Sequence, residues 1–145
     1  MEAVPKQGFD VDGAPIHYSV GAVIERDGKY LLIDRANPPF GFAGVAGHVD
    51  EGEGSEIALP REVFEESGLV VKGFKLLYEE LNQIGNITCS RGVAKHYWYL
   101  FSCEVEGDVV WNKEETKSIG WYLPEEIKKL PLEPVWDYWF KKKEE

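Results

Sequence analysis

Two apolar segments rich in β-forming residues lie near the N-terminus, with a polar turn between them. Residues 17–25 form the first segment, and residues 29–35 return with the apolar run YLLI. The tripeptide RDG at residues 26–28 is typical of a tight turn between paired strands. The pattern therefore predicts a β-hairpin.

The next stretch changes from loop composition to helical periodicity. Residues 37–47 combine prolines with glycines, which predicts a loop of the kind that often carries ligands. Residues 55–67 predict a helix, with Ser55 as the candidate N-cap and Gly68 as a left-handed C-terminal cap. Pro60 would cost roughly 3 kcal/mol inside such a helix. The helix therefore either begins later than Ser55 or bends at the proline.

Strands and helices interleave in the C-terminal half of the chain. Residues 69–79 predict a strand, and residues 95–105 alternate between two faces in the manner of another strand. Residues 118–122 predict a short strand, residues 124–130 a short helix beginning with proline, and residues 133–143 a terminal helix. This order indicates an α/β layered fold.

Length and composition indicate a single domain. The chain has 145 residues, of which 43% are hydrophobic and 13% aromatic, and this is enough to fill one sizeable core. No repeat or linker divides it. We expect one domain over residues 1–145, with residues 1–15 and 141–145 peripheral or frayed.

Charge and cysteine content narrow the classes of partner. The formal net charge of −10 repels polyphosphate backbones, so we expect no nucleic-acid polymer as a partner; basic residues cluster only at 141–143. The N-terminus resembles neither a secretory signal nor a membrane anchor, so we expect no membrane association. Cys89 and Cys103 show no metal-ligand spacing, and we expect reduced thiols in a cytoplasmic protein.

An acidic cluster occupies the predicted helix 55–67. Glu62, Glu65 and Glu66 share one helical face, where like charges repel and destabilise the helix by roughly a few tenths of a kcal/mol per pair. A hard divalent cation would remove this repulsion, and carboxylate ligands suit Mg²⁺ or Mn²⁺. Taken alone, such a stretch is more often a solvated acidic face.

The spacing of the residues around this acidic cluster favours a metal site over a solvated face. Residues 47–69 place Gly47, Glu53 after five residues, Arg61-Glu62 after seven more, and then Glu65-Glu66, Gly68 and Leu69. This segment resembles the Nudix box at every defining position, which is a specific signal. The resemblance implies a Nudix-type α/β/α sandwich with a mixed central sheet and the activity of a Mg²⁺-dependent pyrophosphohydrolase.

The resemblance also implies roles for individual residues. Arg61 would orient the metal-binding glutamates, and Glu53 would belong to the same catalytic network. The residues implied as metal ligands are Glu62, Glu65, Glu66 and the backbone carbonyl of Ala46. Mg²⁺ is the expected cofactor, with Mn²⁺ as an alternative.

The identity of the general base stays open. Some relatives carry an additional glutamate on a loop shortly before a strand that contains tryptophan. Glu115, six residues before Trp121, matches this placement, and Glu114 is its competitor. One of the helix glutamates, such as Glu65, could serve instead.

Substrate contacts are less defined than the metal site. The resemblance places Gly47 at the opening of the loop and Arg35 at the end of the second strand, where relatives contact substrate. Phe42 is the candidate aromatic contact, and the others that could stack on a base are Phe40, Tyr97 and Trp98. Aromatic residues on strands more often pack in a core.

Three functional classes remain open at this level. The first is an enzyme that hydrolyses the diphosphate linkage of a nucleoside diphosphate derivative or a nucleoside triphosphate by metal-assisted water attack. The second is a Nudix-fold sensor that binds its ligand without turnover, and the third is an enzyme of the isopentenyl-diphosphate isomerase type, which uses a cysteine and a glutamate. The intact acidic trio favours the hydrolase. No substrate-specific downstream marker occurs, so we expect only a small phosphorylated substrate; the resemblance also allows a homodimer.

Overall fold

The computed structural model describes residues 4–82 and 95–144. Over these residues the chain forms eight strands and three helices. Their bounds are β1 (Gln7–Phe9), β2 (Pro15–Arg26), β3 (Lys29–Arg35), β4 (Phe42–Ala43), β5 (Val45–His48), α1 (Ser55–Ser67), β6 (Val70–Asn82), β7 (Lys95–Glu106), β8 (Thr116–Tyr122), α2 (Pro124–Ile127) and α3 (Pro134–Lys143).

The strands form a mixed sheet around β2. The main path runs β4-β3-β2-β7-β6, while β1 and β5 also pair with β2, and β8 pairs with β3. The β2–β7 pair is parallel, and the other pairs are antiparallel. The expected α/β fold with a mixed sheet is therefore confirmed.

The predicted hairpin is present between β2 and β3. Glu25 lies opposite Tyr30, and the connecting residues Asp27 and Gly28 have φ angles of 54° and 78°. Two successive positive φ angles define the turn whose twist matches that of paired strands. Local turn chemistry therefore determines this register.

The prediction that residues 37–47 form an irregular loop is wrong in its second half. Phe42–Ala43 pairs with β3, and Val45–His48 pairs with β2 from Ser19 to Ala22. These pairings satisfy backbone groups that a buried loop would leave without partners. The chain thereby carries the Gly-rich segment directly across the centre of the sheet.

Helix α1 spans the predicted residues, with Gly54 rather than Ser55 as its N-cap. Gly68 adopts a φ of 78° and donates its N–H to the Phe64 carbonyl, as predicted for the C-terminal cap. Pro60 lies inside the helix, so a later start is excluded. Burial of apolar side chains, at roughly 1.5–3 kcal/mol for each large one, offsets the cost of the proline. The fully buried apolar residues of α1 are Ala58, Leu59 and Val63.

Each face of the sheet carries its own core and its own long helix. One core joins α1 to the β2 residues Val20, Ala22 and Ile24 and to Phe101 and Cys103 of β7. The other joins α3, through Val135, Trp136 and Trp139, to Trp98 and Leu100 of β7. The alternation predicted for 95–105 is confirmed, and both faces of the strand are buried. This arrangement is the expected α/β/α sandwich.

Described residues near both ends of the chain take part in the fold. Residues 141–143 continue α3 rather than fraying, because Lys142 Nζ lies 2.5 Å from Glu80 Oε1 and Lys141 Nζ lies 2.8 Å from Asp137 Oδ2. Near the N-terminus, β1 pairs with β2 and the N–H of Lys6 donates to the Val49 carbonyl at 2.7 Å. These two segments thus contribute to the fold.

The remaining expectations concern the short helix, the cysteines and membranes. The helix predicted over 124–130 ends at Ile127. Cys103 is buried, which raises the pKa of its thiol to about 12, whereas Cys89 lies outside the described residues. Within residues 4–82 and 95–144, none of the helices has the length and apolar character needed to cross a membrane.

Candidate functional site

A small polar cavity lies where β3, α1 and the segment before β8 meet. Its volume is about 90 Å³. The lining residues are Ile33, Arg35, Ala36, Asn37, Glu66, Asn112, Glu115 and Thr116. Three residues singled out from the sequence, Arg35, Glu66 and Glu115, therefore meet at one place. A larger cavity of about 380 Å³ lies beside α2 and α3, but no Nudix-box residue lines it.

Arg61 is the centre of a network of carboxylates. Its Nη2 donates to Glu53 Oε1 at 2.6 Å and its Nε to Glu53 Oε2 at 3.2 Å. Its Nη1 donates to Glu62 Oε1 at 2.8 Å and to Glu65 Oε2 at 3.3 Å. A guanidinium has a planar fork of donors, so it can hold several carboxylates in fixed directions at once. Arg61 therefore contacts Glu53 and two of the helix glutamates.

The same arginine also ties the helix to the preceding loop. Its Nη2 donates to the His48 carbonyl at 2.9 Å and lies 3.2 Å from Asp50 Oδ2. Hydrogen bonds from Arg61 and from the Asp50 N–H lower the pKa of Glu53, so this carboxylate is held in its charged form. Asp50 was missed by sequence reasoning, because no periodicity or spacing relates it to Arg61.

Glu62 occupies space that exists only because residue 47 is glycine. A Cβ at Gly47 would lie 2.0 Å from Glu62 Cδ and 2.1 Å from its Oε2. Burial raises the pKa of the Glu62 carboxyl to about 7, and the adjacent Arg61 lowers it only in part. Gly47 therefore acts sterically, by admitting a carboxylate against the backbone of β5.

Glu66 is the most deeply placed of the three helix glutamates. Burial, followed by the charge of Glu62, raises the pKa of Glu66 to about 8, and an N–H hydrogen bond from Ala46 opposes this shift. Among the described atoms, Glu66 Oε2 has no hydrogen-bond partner. A buried carboxylate oxygen without a partner is costly, and it suits a position that receives a ligand.

Glu65 completes the acidic face but lies nearer to solvent. Its side chain is 56% exposed, against 13% for Glu62. Within the described part of the chain, no three or more His, Cys, Asp or Glu side chains already converge in a geometry suited to a metal ion. Arg61, rather than a shared centre, holds Glu62 and Glu65 in this arrangement.

Comparison with known proteins shows the family. A family model described as the NUDIX domain matches residues 15–142. The chain belongs to the Nudix family. Its relatives place it among the Nudix hydrolases, which are enzymes that act on pyrophosphate linkages. Divalent metals such as Mg²⁺ or Mn²⁺ are general in this family.

Individual relatives show how far the similarity extends. A MutT-like protein of Streptomyces ambofaciens is 31% identical over 83% of this chain and 73% of its own length. An ADP-ribose pyrophosphatase of Methanocaldococcus jannaschii is 48% identical over 41% of this chain, and the match spans 36% of that relative. The NUDIX domain of Shewanella oneidensis NrtR, solved with ADP ribose, is 19% identical with a TM-score of 0.70 over 88% of this chain and 85% of that one.

Of the residues predicted to contact substrate, some line the cavity and others do not. Arg35 lines the cavity and donates from Nε to the Pro39 carbonyl at 2.7 Å. Phe42 does not line it; its ring packs edge-to-face against Tyr122 at 5.7 Å. Asn37, Asn112 and Thr116 line the cavity but were not identified from the sequence, since no motif marks polar residues that meet only through strand pairing.

Proposed function

We propose that this protein hydrolyses the diphosphate linkage of a nucleoside diphosphate derivative or a nucleoside triphosphate, with Mg²⁺ as the cofactor. The observation that carries the proposal is the Glu66 carboxylate. One of its oxygens, Oε2, is buried and lacks a hydrogen-bond partner among the described atoms, and the residue lines a cavity shared with Arg35 and Glu115. Such a group is poised for a cation, and the neighbouring arginine is suited to a phosphate.

The donor set supports a hard divalent cation. The residues that would hold it are Glu62, Glu65, Glu66 and the carbonyl of Ala46. All four donors are oxygen atoms, and burial disfavours the charged form of Glu62 and Glu66 in the absence of a cation. When bound, a divalent cation neutralises charge on the phosphate oxygens and aligns the attacking water. The glutamates and the cavity therefore fit the cofactor that is general in the family.

The protein's own residues would divide the remaining work. Arg61 positions Glu53, Glu62 and Glu65 through its hydrogen bonds, so we assign it a positioning role. Arg35, at the cavity wall, would bind a phosphate oxygen of the substrate. Phe42 is left out of the proposal because its ring packs on Tyr122, away from the cavity lining.

Glu115 is the better candidate for the general base. It lines the cavity, and its charge contributes to the raised pKa of Glu66. Glu114 does not line the cavity, and its N–H donates to Asn112 Oδ1 within its own turn. A base must reach the water whose proton it accepts, so position favours Glu115.

ADP-ribose is the first substrate to test. The relative from Methanocaldococcus jannaschii carries the name ADP-ribose pyrophosphatase, and its match has the highest identity among the relatives compared above. Its short coverage leaves nucleotide sugars, dinucleoside polyphosphates and triphosphates as further candidates. Formation of a homodimer stays a prediction.

The experiment measures hydrolysis with Mg²⁺ for these substrate classes and identifies the products by mass. We expect Glu65→Gln and Glu66→Gln to abolish turnover while the fold, followed by thermal unfolding, is retained. Glu115→Gln should reduce kcat by roughly 10²–10⁴-fold, as expected for loss of a general base, with Glu114→Gln as the matched control. Unchanged turnover in both Glu65→Gln and Glu66→Gln would overturn the proposal.

A further inference from the structure

A second cavity lies beside α2 and α3, apart from the residues assigned to hydrolysis. Its volume is about 380 Å³, against about 90 Å³ for the polar cavity, and the two cavities share no lining residue. Pockets that bind small molecules typically measure roughly 300–1,000 Å³. This α2–α3 cavity therefore has the size of a ligand site that the proposed reaction leaves unused.

More than half of the lining of the α2–α3 cavity is apolar or aromatic. These lining residues are Tyr30, Pro124, Ile127, Leu130, Leu132 and Phe140. Ile127 is buried, and the ring of Phe140 packs edge-to-face against that of Tyr30, with 5.9 Å between the ring centres. Ligand pockets are lined mainly by such side chains, which cover the apolar body of a bound molecule. The cavity therefore favours a ligand that carries an alkyl chain or an aromatic ring.

Main-chain hydrogen bonds hold the two helices beside this cavity in place. The Phe42 N–H donates to the Pro131 carbonyl at 2.9 Å, and the Glu133 N–H donates to the Phe42 carbonyl at 2.9 Å. Glu133 Oε1 then caps α3 by accepting from the Val135 N–H at 3.0 Å. These bonds fix residues 131–133, which connect α2 to α3, against β4. The cavity is therefore preformed, and a preformed site loses less conformational freedom when a ligand binds.

The charged part of the lining selects the sign and the number of charges on a ligand. The charged lining residues are Lys128, Asp137, Lys141, Lys143 and Glu144. Three lysines against two carboxylates leave one net positive charge, in a chain whose formal net charge is −10. Lys141 Nζ lies 2.8 Å from Asp137 Oδ2, and Lys143 Nζ donates to the Tyr30 hydroxyl at 3.0 Å. Among the described residues, Lys128 makes neither an ion pair nor a side-chain hydrogen bond, so its ammonium group can receive one anionic group.

We propose that the α2–α3 cavity binds a small monocarboxylate, whose apolar body lies against the apolar lining and whose carboxylate is bound by Lys128. A diphosphate or triphosphate would bring several negative charges close to Asp137 and Glu144, which repel them. A protein partner would need roughly 20–30 residues on each side of the interface, whereas eleven residues line the cavity. One small, singly charged molecule fits both its size and its charge.

The test compares ligands that share a body and differ in charge. Octanoate, 3-phenylpropanoate and octylammonium are titrated into the full chain by isothermal titration calorimetry. We expect saturable binding of at least one of the two acids and none of octylammonium; the tighter acid identifies the body as alkyl or aromatic. From hexanoate to octanoate, each added methylene should tighten binding about fourfold if the chain is buried. No saturable binding of either acid, or equal affinity for octanoate and octylammonium, would overturn the proposal.

Two substitutions connect binding to this cavity. Lys128→Gln should weaken binding of the acid about two- to fivefold, the range for loss of one exposed ion pair. Lys129→Gln is the matched control, because Lys129 is also exposed and does not line the cavity. Leu130→Glu places a second negative charge type beside the carboxylate and should abolish binding, with the thermal unfolding midpoint as the check on folding. Equal affinity in Lys128→Gln and Lys129→Gln would contradict the assigned role of Lys128.

The position of the site and its independence from hydrolysis are measured separately. In amide NMR spectra, we expect the bound acid to shift signals of residues 124–144 and to leave those of Glu66 and Glu115 unchanged. Shifts confined to the residues of the polar cavity would overturn the proposal. Hydrolysis by Lys128→Gln should equal that of the unsubstituted protein, so a protein without any hydrolytic activity that still binds the acid would defeat only the proposed function.

Discussion

Replacing Gly47 by alanine is the most direct test of how the acidic face is positioned. The new Cβ would lie 2.0 Å from Glu62 Cδ, and ordinary contacts begin near 3.4 Å. The carboxylate must therefore retreat by about 1.4 Å. This movement breaks its 2.8 Å hydrogen bond from Arg61 Nη1.

Gly47→Ala should lower the catalytic rate far more than it lowers the stability of the fold. A catalytic group misplaced by about 1 Å can cost on the order of 10²-fold in rate, so we expect kcat with Mg²⁺ to fall by about that factor. Loss of one partly exposed hydrogen bond costs only about 1 kcal/mol of stability. The variant should therefore fold normally and yet hydrolyse its substrate poorly.

The assay compares kcat, the Mg²⁺ dependence and the thermal unfolding midpoint of Gly47→Ala with those of Gly54→Ala. A Cβ at Gly54 would meet open space, and its φ of −91° suits any residue, so this control should keep wild-type activity. A second substitution, Glu62→Asp, shortens the displaced side chain and should restore part of the activity of Gly47→Ala. Wild-type kcat in Gly47→Ala would refute the requirement for a glycine at this position.

Two further predictions concern the buried glutamates of α1 and the packing around Trp136. Without metal, the free energy of unfolding should fall as the pH rises from about 4.5 to about 8. The pKa values of Glu62 and Glu66 are raised to about 7 and about 8. In this pH range the folded protein therefore keeps protons that the unfolded chain has already lost. Urea denaturation in chelator at several pH values measures this; saturating Mg²⁺ should flatten the profile, and a flat profile in chelator would contradict the reasoning. Gly44→Ala should destabilise the fold by roughly 1–3 kcal/mol, because its Cβ would lie 2.5 Å from the ring of the buried Trp136 and would overpack the core. Urea unfolding of this variant is compared with that of Gly73→Ala, whose Cβ would have its nearest neighbour at 3.5 Å.

The local features of this protein could be predicted from its sequence. The hairpin at Asp27-Gly28 and the helix that ends at Gly68 depend on turn chemistry, capping and periodicity, which act over a few residues. The resemblance to the Nudix box likewise implied that Arg61 orients the helix glutamates and that Glu53 belongs to the same network, and in the structure Arg61 contacts Glu53 and Glu65. In these cases residues close together in the sequence determine the local structure.

Other features were decided only by contacts between distant parts of the chain. The strand Val45–His48 forms because β2 offers it hydrogen-bond partners, although its own composition favours a loop. The cavity joins Arg35 to Thr116 through strand pairing across about half the chain, and no local pattern could place Asn112 beside Glu66. The pKa values of Glu62 and Glu66 are raised first by burial, which exists only once the helix has packed against the sheet. Residue types and spacing determined which groups could react, whereas long-range packing determined their neighbours, their solvation and therefore their charge.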